Sequence, residues 1–298
     1  MEIGKLMGLP LLGSKHGADV DALILYVHWL MFALFVGWTA YFFYAIWRFR
    51  ASRHPKADYI GTTTHATTWI EGAVAVIEGV LLLGFAIPFW TRAVEKFPDP
   101  QQSTVIRITG RQFNWMARYP GADGKFGSNR LDLVTAANPL GLDKSDPAAR
   151  DDTIIEGGVT EIAVPVDKPV IVHLSSLDVI HSFKVVPLRV TQDANPGMSI
   201  PIHFIPTITN TYLIQCSQLC GLGHSTMKGF FKVLSEPDFK AWLAAKPKGG
   251  GAAQVSNSPL GGLCSSRDGF VILAVESDSR RRGCFLPPPK SRVAFDDR

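Results

Sequence analysis

Cysteine is scarce in this chain, with four residues in 298. None stands in a C-x-x-C-H, which excludes a haem attached to the chain itself. Charge is missing too: residues 22–47 contain no Asp, Glu, Lys or Arg. That stretch exceeds the roughly 20 apolar residues a bilayer-spanning helix needs. Residues 1–21 lack the basic start, apolar run and small-residue cleavage site of a signal peptide, so the first span reads as an uncleaved targeting signal behind a short outer segment. Charge excess is absent from the middle of the chain, where residues 97–245 hold 13 Lys or Arg against 14 Asp or Glu. The net charge of +4 resides in residues 246–298, so it gives no reason to propose a nucleic-acid partner.

A second apolar stretch, 72–90, contains one carboxylate, Glu78, and lengthens comfortably with Trp69 and Ile70. With no large soluble domain to bury them, 22–92 read as a two-helix membrane hairpin. Trp29, Trp47, Trp69 and Trp90 suit membrane interfaces, while Trp38 falls mid-span. The connection carries Arg48, Arg50, Arg53 and Lys56, and basic connections stay on the cytoplasmic side. Both termini are then expected outside. His28, within the first span, reads as an interhelical hydrogen-bonding group.

Beyond Phe97 the texture becomes short β-type runs at 103–110, 113–119, 161–167, 170–176, 179–186, 199–207, 211–216 and 229–234, separated by Gly, Pro and Asp. This predicts an all-β Greek-key sandwich or barrel over 97–245. A short closing helix is predicted over 237–245, with Pro237 in its first turn. Residues 121–158 are too long for a hairpin turn and read as a lid or loose excursion. From 246 to 298 the chain opens on G-G-G, contains P-P-P and R-R-R and has no periodicity, so it reads as disordered or as a non-native end.

Within that β region lies C-S-Q-L-C-G-L-G-H-S-T-M, which places Cys216, Cys220, His224 and Met227 within one loop. A C-x-x-x-C pair alone is compatible with a disulfide or half a zinc site. Neither accounts for a His and a Met at the following ligand spacings. Two thiolates, an imidazole and a thioether suit copper. A mononuclear copper site needs one Cys; the second allows two copper ions to be bridged and one electron to be spread over both. His181, in D-V-I-H-S-F, is the candidate upstream imidazole.

Two outward-facing spans followed by a β-sandwich with this loop resemble subunit 2 of the haem-copper cytochrome c oxidases, over about residues 20–245. The resemblance is carried by V-I-H-S-F, by L-R-V-T-Q-D-A-N-P-G-M at 188–198 and by the copper loop. The segments G-R-Q-F-N-W and A-I-P-F-W add to it. It implies a cupredoxin fold that takes electrons from cytochrome c into a dinuclear copper centre. They pass to the haem of subunit 1, where oxygen is reduced to water and protons cross the membrane. It further implies bridging by Cys216 and Cys220, one imidazole each from His181 and His224, an axial thioether from Met227 and a weak carbonyl ligand from Gln218.

Three positions depart from the family's commonest pattern. Residue 218 is usually Glu and helps hold a magnesium ion against subunit 1; Gln218 keeps the carbonyl and loses the charge, which puts magnesium in doubt. Phe113 occupies the place of the tryptophan that usually admits electrons, so either Phe113 or Trp115 takes that role. Glu71 matches a carboxylate that feeds protons into subunit 1, and Glu78 is an additional acid. The resemblance implies the plasma membrane of a bacterium, with the copper domain on the periplasmic side, or else the mitochondrial inner membrane. A copper subunit of a nitric oxide reductase and a membrane-tethered copper carrier or sensor are the competing functions. The propeller of nitrous oxide reductases is lacking, and quinol-oxidising relatives lack the copper ligands present here.

Overall fold

The computed structural model describes residues 7–56, 59–61, 64–135 and 137–249. Helix α1 runs from Gly17 to Arg48 and α2 from Ala66 to Val94. At 1.5 Å per residue, the 32 residues of α1 span about 48 Å, more than the roughly 30 Å of a bilayer's hydrocarbon. The uncharged window at 22–47 marks the apolar part of α1; the helix begins one turn earlier, where Asp19 and Asp21 sit near its positive N-terminal end. Arg92 of α2 pairs with Asp19 at 3.6 Å, and Tyr26 meets Phe85 edge-on at 5.5 Å between ring centres. Leu82–Ala86 forms a π-helical turn in α2. It lies immediately before Pro88, which has no N–H to return to the preceding turn. Most large apolar side chains of both helices, Phe35, Trp38 and Leu83 among them, face outward.

The β domain consists of two five-stranded sheets. In the first, the order is β3 (Thr153–Ile155), β2 (Asn114–Tyr119), β1 (Thr104–Arg111), β5 (Val170–Ser176) and β8 (Ile200–Phe204). The second orders β4 (Thr160–Pro165), β10 (Lys228–Leu234), β9 (Asn210–Cys216), β6 (His181–Val185) and β7 (Val190–Ala194). Strand β1 runs parallel to β5, and β4 parallel to β10; the other pairings are antiparallel. Alternating residues of the two sheets meet in one core that includes Ile106, Ile108, Trp115, Leu174, Phe183, Ile214 and Phe231. Helix α3, Glu236–Ala244, closes one end, capped by Ser235, whose hydroxyl accepts from the Asp238 N–H.

Two strands escape the sequence pattern. Strand β3 lies inside the stretch read as an excursion and is only three residues long. Strand β7 is an edge strand with a polar T-Q-D centre, so its alternation carries little apolar signal. The run read as 179–186 pairs only from His181, because Val179 belongs to a turn: its carbonyl accepts from Ser176 Oγ and its N–H donates to Asp178. Residues 246–249 continue the fold. Lys248 bridges to Thr153, and the Gly249 N–H donates to Asp152 O at 2.7 Å. The rest of the tail, 250–298, lies outside the described residues.

Tyr119 stitches the sheets together. Its hydroxyl donates to Ala163 O at 2.7 Å and accepts from Ala163 N at 3.0 Å, serving the outer edge of β4. Burial pushes this phenol well above its ordinary pKa, so it stays neutral. Tyr119→Phe leaves both buried backbone groups unpaired and is expected to cost about 1–3 kcal/mol. Urea unfolding followed by tryptophan fluorescence measures this, and an unchanged midpoint would refute the linkage.

Candidate metal centre

The site is assembled from two neighbouring strands and one loop. Strands β6 and β9 pair through Phe183 and Cys216, which brings His181 at the start of β6 beside Cys216 at the end of β9. Cys216 Sγ lies 3.9 Å from His181 Nδ1, 3.8 Å from Cys220 Sγ and 3.2 Å from Gln218 O. Cys220 Sγ lies 3.5 Å from His224 Nδ1 and 3.8 Å from Met227 Sδ. Each sulfur therefore has one imidazole and one weak donor at its side. One donor atom each from His181, Cys216 and Cys220 lies within 4.8 Å of the others. All six residues named from the sequence as candidate ligands are thus brought together.

Local backbone holds the loop in place. The Ser217 N–H donates to Ser182 O at 3.0 Å, and His224–Thr226 forms a 3-10 turn that delivers Met227. His181, Cys220 and Met227 are buried, at 0%, 4% and 2% exposure. A Cβ at Gly110 would come within 2.8 Å of the His181 ring, so that glycine makes room for the imidazole.

Two supporting residues were not singled out in the sequence. Asp178 Oδ1 lies 2.8 Å from His181 Nε2, and the carboxylate also accepts from the N–H groups of Gln112 and Val179, each at 2.7 Å. Burial alone would raise the Asp178 carboxyl; the hydrogen bonds from Gln112, His181 and Val179 outweigh it and hold the group below its ordinary range. An ionised Asp178 requires the proton on Nε2, which turns the Nδ1 lone pair toward Cys216. Gln112 ties the other side, donating from Nε2 to Cys220 O at 2.6 Å. The D-x-x-H spacing was the available signal for Asp178; nothing local marks Gln112.

The metal fit follows from the donor chemistry. Two thiols and a thioether packed together are soft donors that suit copper, and thioether is a poor partner for zinc. Burial and the neighbouring Cys216 thiol push the Cys220 thiol up to about 11. A metal entering the reduced site must therefore displace a proton.

The other candidates are placed apart from the ligands. Phe113 is 37% exposed and lies across the loop; a Cβ on Gly223 would strike its ring at 2.3 Å. Trp115 is fully buried, with its ring centre 6.0 Å from that of His181. Glu71 lies on α2, and Glu78, seven residues later on the same face, is about 10 Å further along the helix axis. Leu219 and Leu222 project into solvent from the loop, and no Asp, Glu, Lys or Arg occurs between Asp193 and Lys228.

Comparison with known proteins adds the following. The family model described as "Cytochrome C oxidase subunit II, periplasmic domain" matches residues 104–233. The alternative cytochrome c oxidase subunit 2 of Bradyrhizobium diazoefficiens is 31% identical over 225 residues, covering 75% of this chain and 79% of the relative. Cytochrome c oxidase subunit 2 of Cereibacter sphaeroides is 29% identical over 237 residues, covering 73% and 75%. Among solved structures, the periplasmic domain of subunit II of cytochrome oxidase from Bradyrhizobium japonicum is 29% identical. It covers 49% of this chain and 94% of that domain, with a TM-score of 0.35.

Proposed function

Because this chain belongs to the cytochrome c oxidase subunit 2 family, we propose that it is the electron-accepting subunit of a terminal oxidase. It takes single electrons from a cytochrome c at a dinuclear copper centre and hands them to the haem of subunit 1. There oxygen is reduced to water and protons are translocated. The observation that carries this reading is the doubled thiolate set, Cys216 and Cys220, flanked by His181 and His224 with Met227 and Gln218 O. Cys216 and Cys220 would hold copper between them, and copper held there would supply a one-electron carrier whose loading and unloading needs little rearrangement of the chain.

The chain's own residues supply rigidity and access. Asp178 fixes the His181 tautomer, Gln112 pins the Cys220 carbonyl, and burial of Cys220 and Met227 excludes water from one side. Phe113, whose ring lies against Gly221 and Gly223, and the loop residues Leu219 and Leu222 are exposed apolar side chains that a donor protein would cover; Trp115 is buried against His181. We assign electron uptake to Phe113, with Trp115 bracing His181. Glu71 would feed protons toward subunit 1, since an ionisable group in a span is costly unless a partner covers it. Gln218 retains its carbonyl and lacks the charge that would favour an interface magnesium. A copper carrier requires exposed, exchangeable ligands, and the burial of Cys220 and Met227 disfavours that reading.

The tagged chain, purified from its own membranes with mild detergent, is expected to bring a haem-bearing multispanning subunit and to consume oxygen with reduced cytochrome c. Reduction of nitric oxide without oxygen uptake would transfer it to the nitric oxide reductase type. The membrane in this reading is the bacterial plasma membrane, with the copper domain in the periplasm and the connection at 49–56 inside. A cysteine introduced for Ser52 should resist an impermeant maleimide in sealed cells and react after permeabilisation, as read from the modified peptide. Labelling in sealed cells would reverse the orientation.

A further inference from the structure

The residues just before α1 do not hang free of the β domain. The Gly13 N–H donates to Pro187 O at 2.8 Å, Thr207 N donates to Gly13 O at 2.8 Å, and Lys15 N donates to Ile205 O at 2.9 Å. Ser14 Oγ donates to Leu188 O at 2.6 Å from a buried position. Residues 13–15 are therefore laid as a strap between the turn before β7 and the end of β8. The contact is close, since a Cβ on Gly13 would approach Tyr212 Oη at 2.8 Å.

Arg189 locks this strap. Its backbone is left-handed at φ 54°, a conformation uncommon for a residue with a side chain. That twist accompanies a guanidinium buried against α1. It donates to both carboxylate oxygens of Asp21, at 2.8 and 2.9 Å, to Pro10 O at 2.8 Å, to Leu11 O at 3.2 Å and to Val186 O at 3.1 Å. The side chain is 8% exposed, so the bidentate pair is shielded from water and salt. At the end of the second helix, His203 of β8 meets the Arg92 carbonyl at 3.3 Å and lies tilted against Phe97, just beyond the helix, with ring centres 4.6 Å apart.

Arg189 also stands at a mechanically useful place. It immediately precedes β7, which pairs with β6 from Val185↔Val190 to His181↔Ala194. The hairpin thus links the clamp to a copper-site imidazole about 13 Å away. We propose that Arg189 is a positioning residue: by clamping Asp21 and the strap, it fixes the height and tilt of the copper domain over the membrane. It thereby sets the path from the copper loop to the partner subunit's haem. This rests on the function proposed above, because only a centre that must discharge into a membrane-embedded acceptor needs such a fixed height.

The test uses the intact purified complex with Arg189→Ala, Arg189→Lys and Asp21→Asn. Copper content and the copper absorption spectrum should be unchanged in all three, as should the rate at which reduced cytochrome c reduces the copper. The following copper-to-haem step should slow at least ten-fold in Arg189→Ala, with smaller losses in the other two. Amide exchange at Gly13, Lys15 and Thr207 should accelerate in the same order. Faster exchange with an undisturbed copper-to-haem step would overturn the positioning role. So would loss of the copper spectrum in both Arg189→Ala and Asp21→Asn, which would make the clamp part of the domain's own folding. If copper in the unaltered complex never discharges to a haem, the functional reading fails first and the positioning role falls with it, whatever the exchange data give.

Discussion

Cys220→Ser in the full-length chain is expected to abolish the signal of an electron shared between two copper ions and to leave at most one copper per chain. The unaltered protein should bind two under the same loading. The argument is geometric. Cys220 Sγ is the atom at which the two halves of the site meet, lying 3.8 Å from Cys216 Sγ, 3.5 Å from His224 and 3.8 Å from Met227. Removing it strips His224 and Met227 of their sulfur partner while leaving His181, Cys216 and the Gln218 carbonyl together. That residue set has one thiolate and one imidazole, enough for a single copper and unable to bridge two. Met227→Leu should be milder: both coppers retained, with a shifted potential, because an axial thioether bonds weakly. Metal analysis and electron paramagnetic resonance on the same samples give the count and the sharing. Two coppers with a shared electron in Cys220→Ser would defeat the bridging assignment, as would one localised copper in the fully loaded unaltered chain.

The cluster of candidate ligands was legible in the sequence because its members are local. Four lie in one loop, and the fifth side chain, His181, sits where an apolar β-type run begins. The supporting residues were not, because their role depends on register. Gln112 reaches Cys220 only when the β1–β2 turn packs across a loop more than a hundred residues away. Asp178 acquires its role from its i,i+3 spacing to His181 together with the turn at Val179. The fold was readable for similar reasons. Strands with apolar alternation, such as β5 and β10, announce themselves, whereas β7 has a polar edge and β3 only three residues. The charge-free window lies wholly within α1 but undercounts the helix, since Asp19 and Asp21 are helical residues that meet Arg92 and Arg189. Arg189 itself gave no warning, for its partners in the strap and in α1 lie more than 160 residues earlier in the chain.

The same dependence on distant partners governs the excursion at 121–158, and Asp152→Ala is expected to destabilise the folded domain by about 3–5 kcal/mol. Asp152 is wholly buried, accepts from Arg118 Nε at 2.9 Å and from the Gly127 N–H at 3.0 Å, and is ion-paired with Arg118 Nη2 at 2.8 Å. Arg118 is 3% exposed and also donates to the Gly127 carbonyl. Burial raises the Asp152 carboxyl and lowers the Arg118 guanidinium, so each charge is costly in this place without the other. Deleting the carboxylate leaves the guanidinium buried and unpaired, and the penalty is a large share of the roughly 5–15 kcal/mol that holds a typical domain. It should also free the excursion, since the carboxylate ties Gly127 directly while the backbone beside it anchors Gly249. The Arg118→Leu, Asp152→Leu double variant should recover part of the loss, because no lone charge remains. Urea unfolding of the three proteins gives the energies, and limited proteolysis at Lys125 and Lys144 reads the excursion. The copper spectrum of the folded fraction should be unaltered throughout, since neither residue touches the loop at 216–227. A double variant no more stable than Asp152→Ala would place the cost in lost packing and hydrogen bonds, and not in a stranded charge.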